Sequence, residues 1–305
     1  MLSKSALGLA IFLLPSLVSA GMYPKDSKVK ALTNKTWKKA AKSNQTAMVA
    51  FVAPWCGHCK NMVPEYSKAA ASVDTLIPFY AVDCDEEENK PLCASHNIRG
   101  FPTVKAFPRG LGGKASNFEY DRKAAALQNF AKGSIPKTVK KLMGPEEVQP
   151  WVEKTATTST PRILLLTTQP KVPLLWNVLG NIFKDKLTLA TNSDKKGKTS
   201  KLLGLDSESG GSKILVYAPD MTRPFVYDGV MKLDALTKFF TSVVDGSADL
   251  TIPEEATTGE VVGETSTGKT HGEEAVDAET SEESAGEGTA EPEPVAAKAH
   301  PTDEL

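Results

Sequence analysis

The sequence predicts an α/β protein: two successive domains, each a mixed sheet flanked by helices, followed by a disordered acidic segment. Three observations carry this. Short apolar runs alternate with helical patterns twice over, and the second set repeats the order of the first. A single Cys-x-x-Cys pair, Cys56 to Cys59, stands where one apolar run meets a helix. From about Asp249 the composition turns to Glu, Thr, Gly, Ala and Ser with almost no aromatic residues; such a segment cannot bury enough surface to fold. The 305 residues, 40% of them apolar, suffice for two ordinary domains. After Leu250 there are 15 Asp and Glu against 2 Lys in a chain of net charge -1, so this segment carries -13 and the part before it +12. The lysines of the basic part are scattered and show no aromatic interleaving, which argues against a nucleic-acid partner.

The first twenty residues read as an address. Lys4 gives a positive start, Ala6 to Leu14 is an apolar run, and Val18-Ser19-Ala20 offers small residues for cleavage, so the mature chain is expected to start near Gly21. That run is too short for a spanning helix, and no other stretch is long enough; stable membrane insertion is not expected. A secretory chain meets a disulfide-permissive compartment. The terminal residues Thr302-Asp303-Glu304-Leu305 resemble the retrieval signal of the endoplasmic reticulum lumen, with Thr302 in place of the usual Lys or His. A retrieval receptor is the corresponding expected partner.

In the first domain, assigned to residues 21–140, the pattern predicts strands at 28–32, 48–52, 77–83, 103–107 and 117–120. Helices are predicted at 36–42, 56–72, 86–96 and 122–132, with Pro64 kinking the second. The run Met48-Val49-Ala50-Phe51-Val52 suits the middle of a sheet. A cysteine at the start of the helix that follows faces unpaired backbone N–H groups and the positive end of the helix dipole. Both lower the thiol pKa from about 8.5 toward neutrality. Cys59 falls one turn later on the same face, placed to close a disulfide with Cys56 or to resolve a mixed one. His58 adds a donor, and stabilising the dithiol in this way makes the disulfide a better oxidant. Zinc is the usual competitor for a Cys-x-x-Cys pair. A zinc site needs a second ligand pair, and the remaining cysteines, Cys84 and Cys93, do not supply one, so no metal is expected.

The run Ala53-Pro54-Trp55-Cys56-Gly57-His58-Cys59-Lys60, followed by Pro64-Glu65-Tyr66, resembles the catalytic domain of the protein disulfide isomerase family. Asn97-Ile98-Arg99-Gly100-Phe101-Pro102-Thr103 is similar to that family's second motif. The resemblance covers about residues 28–133 and points to small, single-site, fungal-type members. It implies a thioredoxin-like fold and exchange of disulfides with unfolded or misoxidised secretory proteins, with chaperone-like binding. Cys56 and Cys59 are implied as the catalytic pair, with Gly57 and His58 between them, and Arg122 as the mobile arginine that approaches the second cysteine. Trp55, Phe101 and a cis Pro102 are implied to shape the peptide groove. The cysteine pair would be reagent and cofactor at once, so no other cofactor is expected. A thiol oxidase or glutathione would stand upstream.

Two family positions depart from the pattern: a buried Glu is replaced by Ala50 and its Lys partner by Ala81. Losing both avoids an unpaired buried charge but leaves Cys59 without a carboxylate base, so slower release steps are expected. Cys84 ends a strand and Cys93 lies in the next helix; a structural disulfide between them is expected, two buried free thiols being the alternative. Asn34-Lys35-Thr36 and Asn44-Gln45-Thr46 are glycosylation acceptors.

A linker around Gly144-Pro145 is expected to open the second domain, residues 145–246, with strands at 162–167, 187–191, 213–218 and 224–227. Helices are predicted at 173–183, 195–203 and 233–244. It contains no cysteine, and reads as a redox-inactive thioredoxin-like domain offering a docking surface. Residues 247–305 form the acidic tail. The expected fold is two tandem thioredoxin-like domains with this disordered tail. Two other functions fit the same residues: a chaperone or binding module in which thiol chemistry is secondary, and a reductase dedicated to one client.

Overall fold

A computed structural model describes residues 22–156, 159–205, 211–219 and 221–252. The predicted leader, the terminal Thr302–Leu305 and almost all of the acidic tail lie outside these residues.

The first half runs β1 (Val29–Ala31), α1 (Asn34–Ala40), β2 (Ala47–Val52), α2 (Gly57–Ser72), β3 (Phe79–Asp83), a 3-10 turn (Glu87–Asn89), α3 (Lys90–Ser95), β4 (Thr103–Phe107), β5 (Ser116–Asn117) and α4 (Ala124–Gly133). Its sheet has the order β1-β3-β2-β4-β5. β2 lies parallel to β3 and antiparallel to β4, and every residue of β2 is buried. Successive side chains of a strand face opposite sides. Met48, Ala50 and Val52 therefore meet the core shared with α2 and α4, and Ala47, Val49 and Phe51 the core under Trp37 and Leu92. A strand covered on both faces needs apolar residues at every position, hence the unbroken run in the sequence. Truncating a fully buried ring such as Phe51 to Ala would cost about 3–5 kcal/mol.

The second half runs β6 (Lys140–Leu142), a 3-10 turn (Pro145–Glu147), α5 (Val148–Ala156), β7 (Arg162–Thr167), α6 (Leu174–Ile182), β8 (Thr188–Ser193), α7 (Lys198–Leu202), β9 (Lys213–Tyr217), β10 (Phe225–Tyr227) and α8 (Leu233–Asp245). Its sheet order, β10-β9-β7-β8-β6, read from the other edge is β6-β8-β7-β9-β10, the order of the first sheet. The fold is two tandem thioredoxin-like units. Arg162, fully buried at the start of β7, donates to the carbonyls of Val152, Ala218 and Met221 and lies over the Tyr217 ring. Those acceptors replace the water that a buried guanidinium loses.

The two halves share one apolar cluster, which includes Ala50, Cys59 and Leu127 of the first and Leu179, Leu236 and Phe240 of the second. At their junction Asn181 of α6 donates to the carbonyls of Asn44, at 2.7 Å, and Pro108, at 2.8 Å. Gly110, at φ +76°, presses against the Ser43 backbone in the same region, where a Cβ has no room.

Three predicted boundaries are corrected. Residues 140–142 pair with β8 inside the second sheet, and Leu142 is fully buried there. The second unit thus starts before Lys140, and Gly144-Pro145 is an internal turn rather than a linker. A three-residue edge strand beginning with two lysines shows no alternation to read, and α5 behind it was equally hidden. The strand expected at 117–120 ends at Asn117 because Phe118 and Tyr120 turn to pack on Phe130 of α4, with ring centroids 5.2 and 6.0 Å away. The helix expected over 86–96 is split. The buried Asn89 side chain donates to the Asp83 carbonyl and accepts from Asn34 N, both at 2.9 Å, and α3 begins anew after it with Pro91 in its first turn.

Candidate active site

Strand pairing brings the site together. Because β2 and β4 are antiparallel, with Phe51 opposite Thr103, the residues that follow β2 lie beside those that precede β4. The first group is Trp55 and Cys56; the second is Phe101 and Pro102, joined by a cis peptide bond. Cys56 Sγ reaches the Phe101 carbonyl at 3.5 Å. The Trp55 and Phe101 rings meet edge to face, with centroids 5.9 Å apart.

Cys56 is the N-cap of α2. The chain turns into helix here without a side-chain cap, so the first N–H groups of α2 point at the thiol. The Cys59 N–H is the largest influence holding the Cys56 thiol below its ordinary pKa; partial burial opposes it, and the Cys59 thiol, the His58 N–H and the Arg122 guanidinium assist. Cys59, one turn in, is fully buried. Burial pushes its thiol up to about 11, against a hydrogen bond from the Ala53 backbone, while the Cys56 thiol adds to the rise and Arg122 opposes it. Both cysteines are free thiols. One is thus biased toward thiolate at the rim and the other is held protonated beneath it. That is the arrangement needed for one sulfur to attack a disulfide and the other to follow.

Gly57 and His58 are exposed in the first turn of α2, and a Cβ at Gly57 would meet open space. Trp55 is 65% exposed, yet its indole N–H is tied to Asp85 Oδ1 at 3.1 Å. The hydrogen bond thus holds an exposed aromatic ring in one orientation beside Cys56. Arg122 lies just before α4, exposed and within electrostatic reach of both cysteines. α4 has no side-chain cap of its own; Glu65 Oε2 from α2 accepts from Ala124 N at 2.6 Å instead. In the sequence Glu65 stands only as part of the Pro64-Glu65-Tyr66 motif. Its partner lies 59 residues on, a separation that no local pattern could reveal.

Cys84 and Cys93 are joined in a disulfide at the end of β3 and in α3, next to the Asp85 that holds Trp55. Of the two glycosylation acceptors, Asn44 is exposed and Asn34 half-buried. Both partner hydroxyls are used by the fold. Thr36 Oγ1 accepts from Thr33 N at 2.8 Å in the capping box of α1, and buried Thr46 donates to the Pro108 carbonyl at 2.7 Å. In the second half Pro173 stands at the N-cap of α6, the position that Cys56 holds on α2. A cavity of about 760 Å³ also belongs to that half and is lined by Trp151, Lys184 and Leu189. Volume does not locate the chemistry here: neither cysteine of the pair lines this cavity.

Residues 28–133 match the thioredoxin family model. A mitochondrial thioredoxin domain-containing protein of Schizosaccharomyces pombe is 36% identical over 155 residues, covering 50% of this chain and 42% of that protein. A Dictyostelium discoideum protein named provisionally as a protein disulfide-isomerase is 31% identical over 225 residues, covering 72% of this chain and 53% of that protein. A protein disulfide-isomerase of Saccharomyces cerevisiae is 26% identical over 255 residues, covering 72% of this chain and 79% of that protein. The chain spans about half the length of the first two. With the sheet order, the cysteine pair at the head of α2 and Pro102 beside it, residues 28–133 form a thioredoxin-family domain, and the chain is similar to proteins named protein disulfide-isomerase.

Proposed function

We propose that the protein is a thiol–disulfide oxidoreductase that forms, reduces and rearranges disulfides in folding secretory proteins of the endoplasmic reticulum lumen. The carrying observation is the contrast between Cys56, held toward thiolate, and Cys59, buried and protonated one turn away. The Cys56 thiolate attacks one sulfur of a client disulfide; the other client sulfur leaves as thiolate and takes up a proton. Cys59, once deprotonated, attacks Cys56 Sγ, releases the remaining client thiolate and closes the Cys56–Cys59 disulfide. In reverse the enzyme disulfide is passed to a client dithiol, and two successive exchanges rearrange a client. The cysteine pair serves as the only cofactor, and a thiol oxidase or glutathione restores its redox state. Trp55, Phe101 and Pro102 give the client backbone a place to lie. The leader-like segment, the Cys84–Cys93 bridge and the Asp-Glu-Leu end support the compartment, with a retrieval receptor as partner.

Trapping with Cys59→Ala tests the reading. A broad set of client adducts at Cys56, absent in Cys56→Ser, is expected, whereas a lack of adducts overturns it. One dominant adduct would identify a dedicated reductase instead. The rigid exposed Trp55 favours one further reading, a binding module with secondary thiol chemistry. Aggregation suppression that survives Cys56→Ser with Cys59→Ala would select it. Localisation of the tagged full chain, with and without Asp303–Leu305, tests the compartment.

A further inference from the structure

Another cavity of the second half, of about 480 Å³, opens at the carboxyl ends of its parallel strands. β6 and β7 both run parallel to β8, so the chain leaves all three at one edge of the sheet. Met143 and Pro145 follow β6, Asp194 follows β8 and Pro170 follows β7, and all four line the cavity. Ligands of open α/β sheets lie in crevices at that edge. The first half holds Cys56 at the matching edge, since α2 follows β2 as α6 follows β7. The chain leaving β3 in the first half is acidic, with Asp85 and Glu86, whereas the chain leaving β8 reads Asp194-Lys195-Lys196. The two halves thus present opposite charge beyond equivalent strands.

The charged lining is basic. Lys195, Lys196 and Lys198 are exposed there and form no ion pair among the described residues. Lys141 joins them and donates through Nζ to the Pro170 carbonyl at 2.8 Å, which ties β6 to the loop after β7. The one carboxylate in the lining is already spent. Asp194 accepts from Thr199 N and Ser200 N, each at 2.9 Å, and from the Ser200 hydroxyl at 2.6 Å. Those bonds use two of the first N–H groups of α7, so these cannot cradle a small anion. The apolar part of the lining is Met143, 68% exposed, with Pro145 and Pro170. An exposed methionine is an adaptable apolar contact.

We propose that this cavity docks an acidic peptide segment of a partner protein, one that carries a large apolar side chain among its carboxylates. Four lysines with no free acid beside them set the sign of the charge. Their long stems and mobile ammonium groups suit carboxylates spaced along an extended chain, and charge complementarity of this kind selects the partner and its register. Met143 and the two prolines receive the apolar side chain. Attraction between exposed charges fades over about 8 Å at physiological salt, so the lysines act on a segment already in contact. The acidic end of this same chain is a poorer fit, since after Ile252 it holds no aromatic residue and no Met. Docking here uses no cysteine and stands apart from thiol exchange at Cys56.

The test titrates the full chain into a short synthetic peptide of Asp and Glu around a central Phe, labelled with a neutral dye and followed by fluorescence anisotropy. Saturable binding that weakens as salt is raised is expected. Lys196→Glu with Lys198→Glu should weaken it on the order of tenfold, by setting like charge against the peptide. Lys42→Glu with Lys114→Glu alters two exposed lysines of the first half and the same net charge; it should leave binding within about twofold of native. Met143→Ser should weaken the Phe peptide on the order of tenfold and leave a peptide with Ser in its place unchanged. A lack of saturable binding overturns the proposal, as does equal weakening by the two charge-reversed pairs. Equal binding of the Phe and Ser peptides also overturns it, because a surface that selects by charge alone fits the chain's own acidic end as well. A dimer of the free chain in sedimentation, dissolved by the peptide, would assign the cavity to a second copy instead.

Discussion

Glu65 Oε2 accepts from Ala124 N at 2.6 Å, so a carboxylate of the cysteine-bearing helix fixes where α4 begins, two residues after Arg122. The bond supplies the missing cap of α4 and places negative charge at its N-terminus. Glu65→Ala is expected to cost about 1 kcal/mol in thermal or urea unfolding. It should also move Cys56 alkylation to higher pH, because Arg122 loses its place. Glu65→Gln keeps an acceptor oxygen and should restore most of both. Unchanged alkylation in Glu65→Ala would remove it from the site's support.

The two thiols should titrate apart. A lowered pKa means thiolate is present at lower pH, so iodoacetamide should label Cys56 below the pH at which an ordinary thiol reacts. Cys59 should stay silent until pH nears about 11. The Arg122 guanidinium favours both thiolates. Arg122→Gln must therefore shift both midpoints upward. Peptide mapping by mass spectrometry reads the two sites separately, and a shift at neither would place Arg122 away from them.

The Cys84–Cys93 bridge closes a short loop, its cysteines separated by 9 positions. A loop of this size stabilises by about 2–3 kcal/mol on the chain-entropy model. Replacing both cysteines with Ala should lower the urea midpoint accordingly. Asp85 adjoins Cys84 and holds the Trp55 indole, so the variant should also show faster Trp55 motion in fluorescence anisotropy. Intact-mass analysis of reduced-site protein alkylated without reductant should show two labels; four would mean the bridge is open.

Asn181 joins the halves by donating to the Asn44 and Pro108 carbonyls of the first. Asn181→Ala removes this donor from both and leaves the Pro108 carbonyl with the Thr46 hydroxyl alone, which costs about 1 kcal/mol. Denaturant unfolding should show an earlier transition, and limited proteolysis should find new cleavage between the halves. An unchanged midpoint would mean that the shared apolar cluster alone carries the junction.

The central elements were legible because their local chemistry is strong. Ala47–Val52 and Arg162–Thr167 are buried on both faces and spell this out as unbroken apolar runs. The cysteine pair announced itself by spacing and by its place after such a run. Elements held only by partners were not legible. β6 is a short lysine-led edge recognisable only from its pairing with β8. Tyr23 is a lone aromatic with no periodic neighbour, and only the fold stacks it on Tyr66.

The sequence by itself determined the strand–helix alternation, the Cys56–Cys59 pair at a helix start and the acidic composition of the end, since each rests on neighbouring residues. Tertiary structure decided that Cys56 meets the Phe101 carbonyl, that Glu65 caps α4 and that Tyr23 stacks on Tyr66 of α2. It also decided that Asn181 ties the two halves together. Each of these joins residues tens of positions apart. Antiparallel pairing and the burial of opposite strand faces bring them within reach, and neither is written in any local stretch.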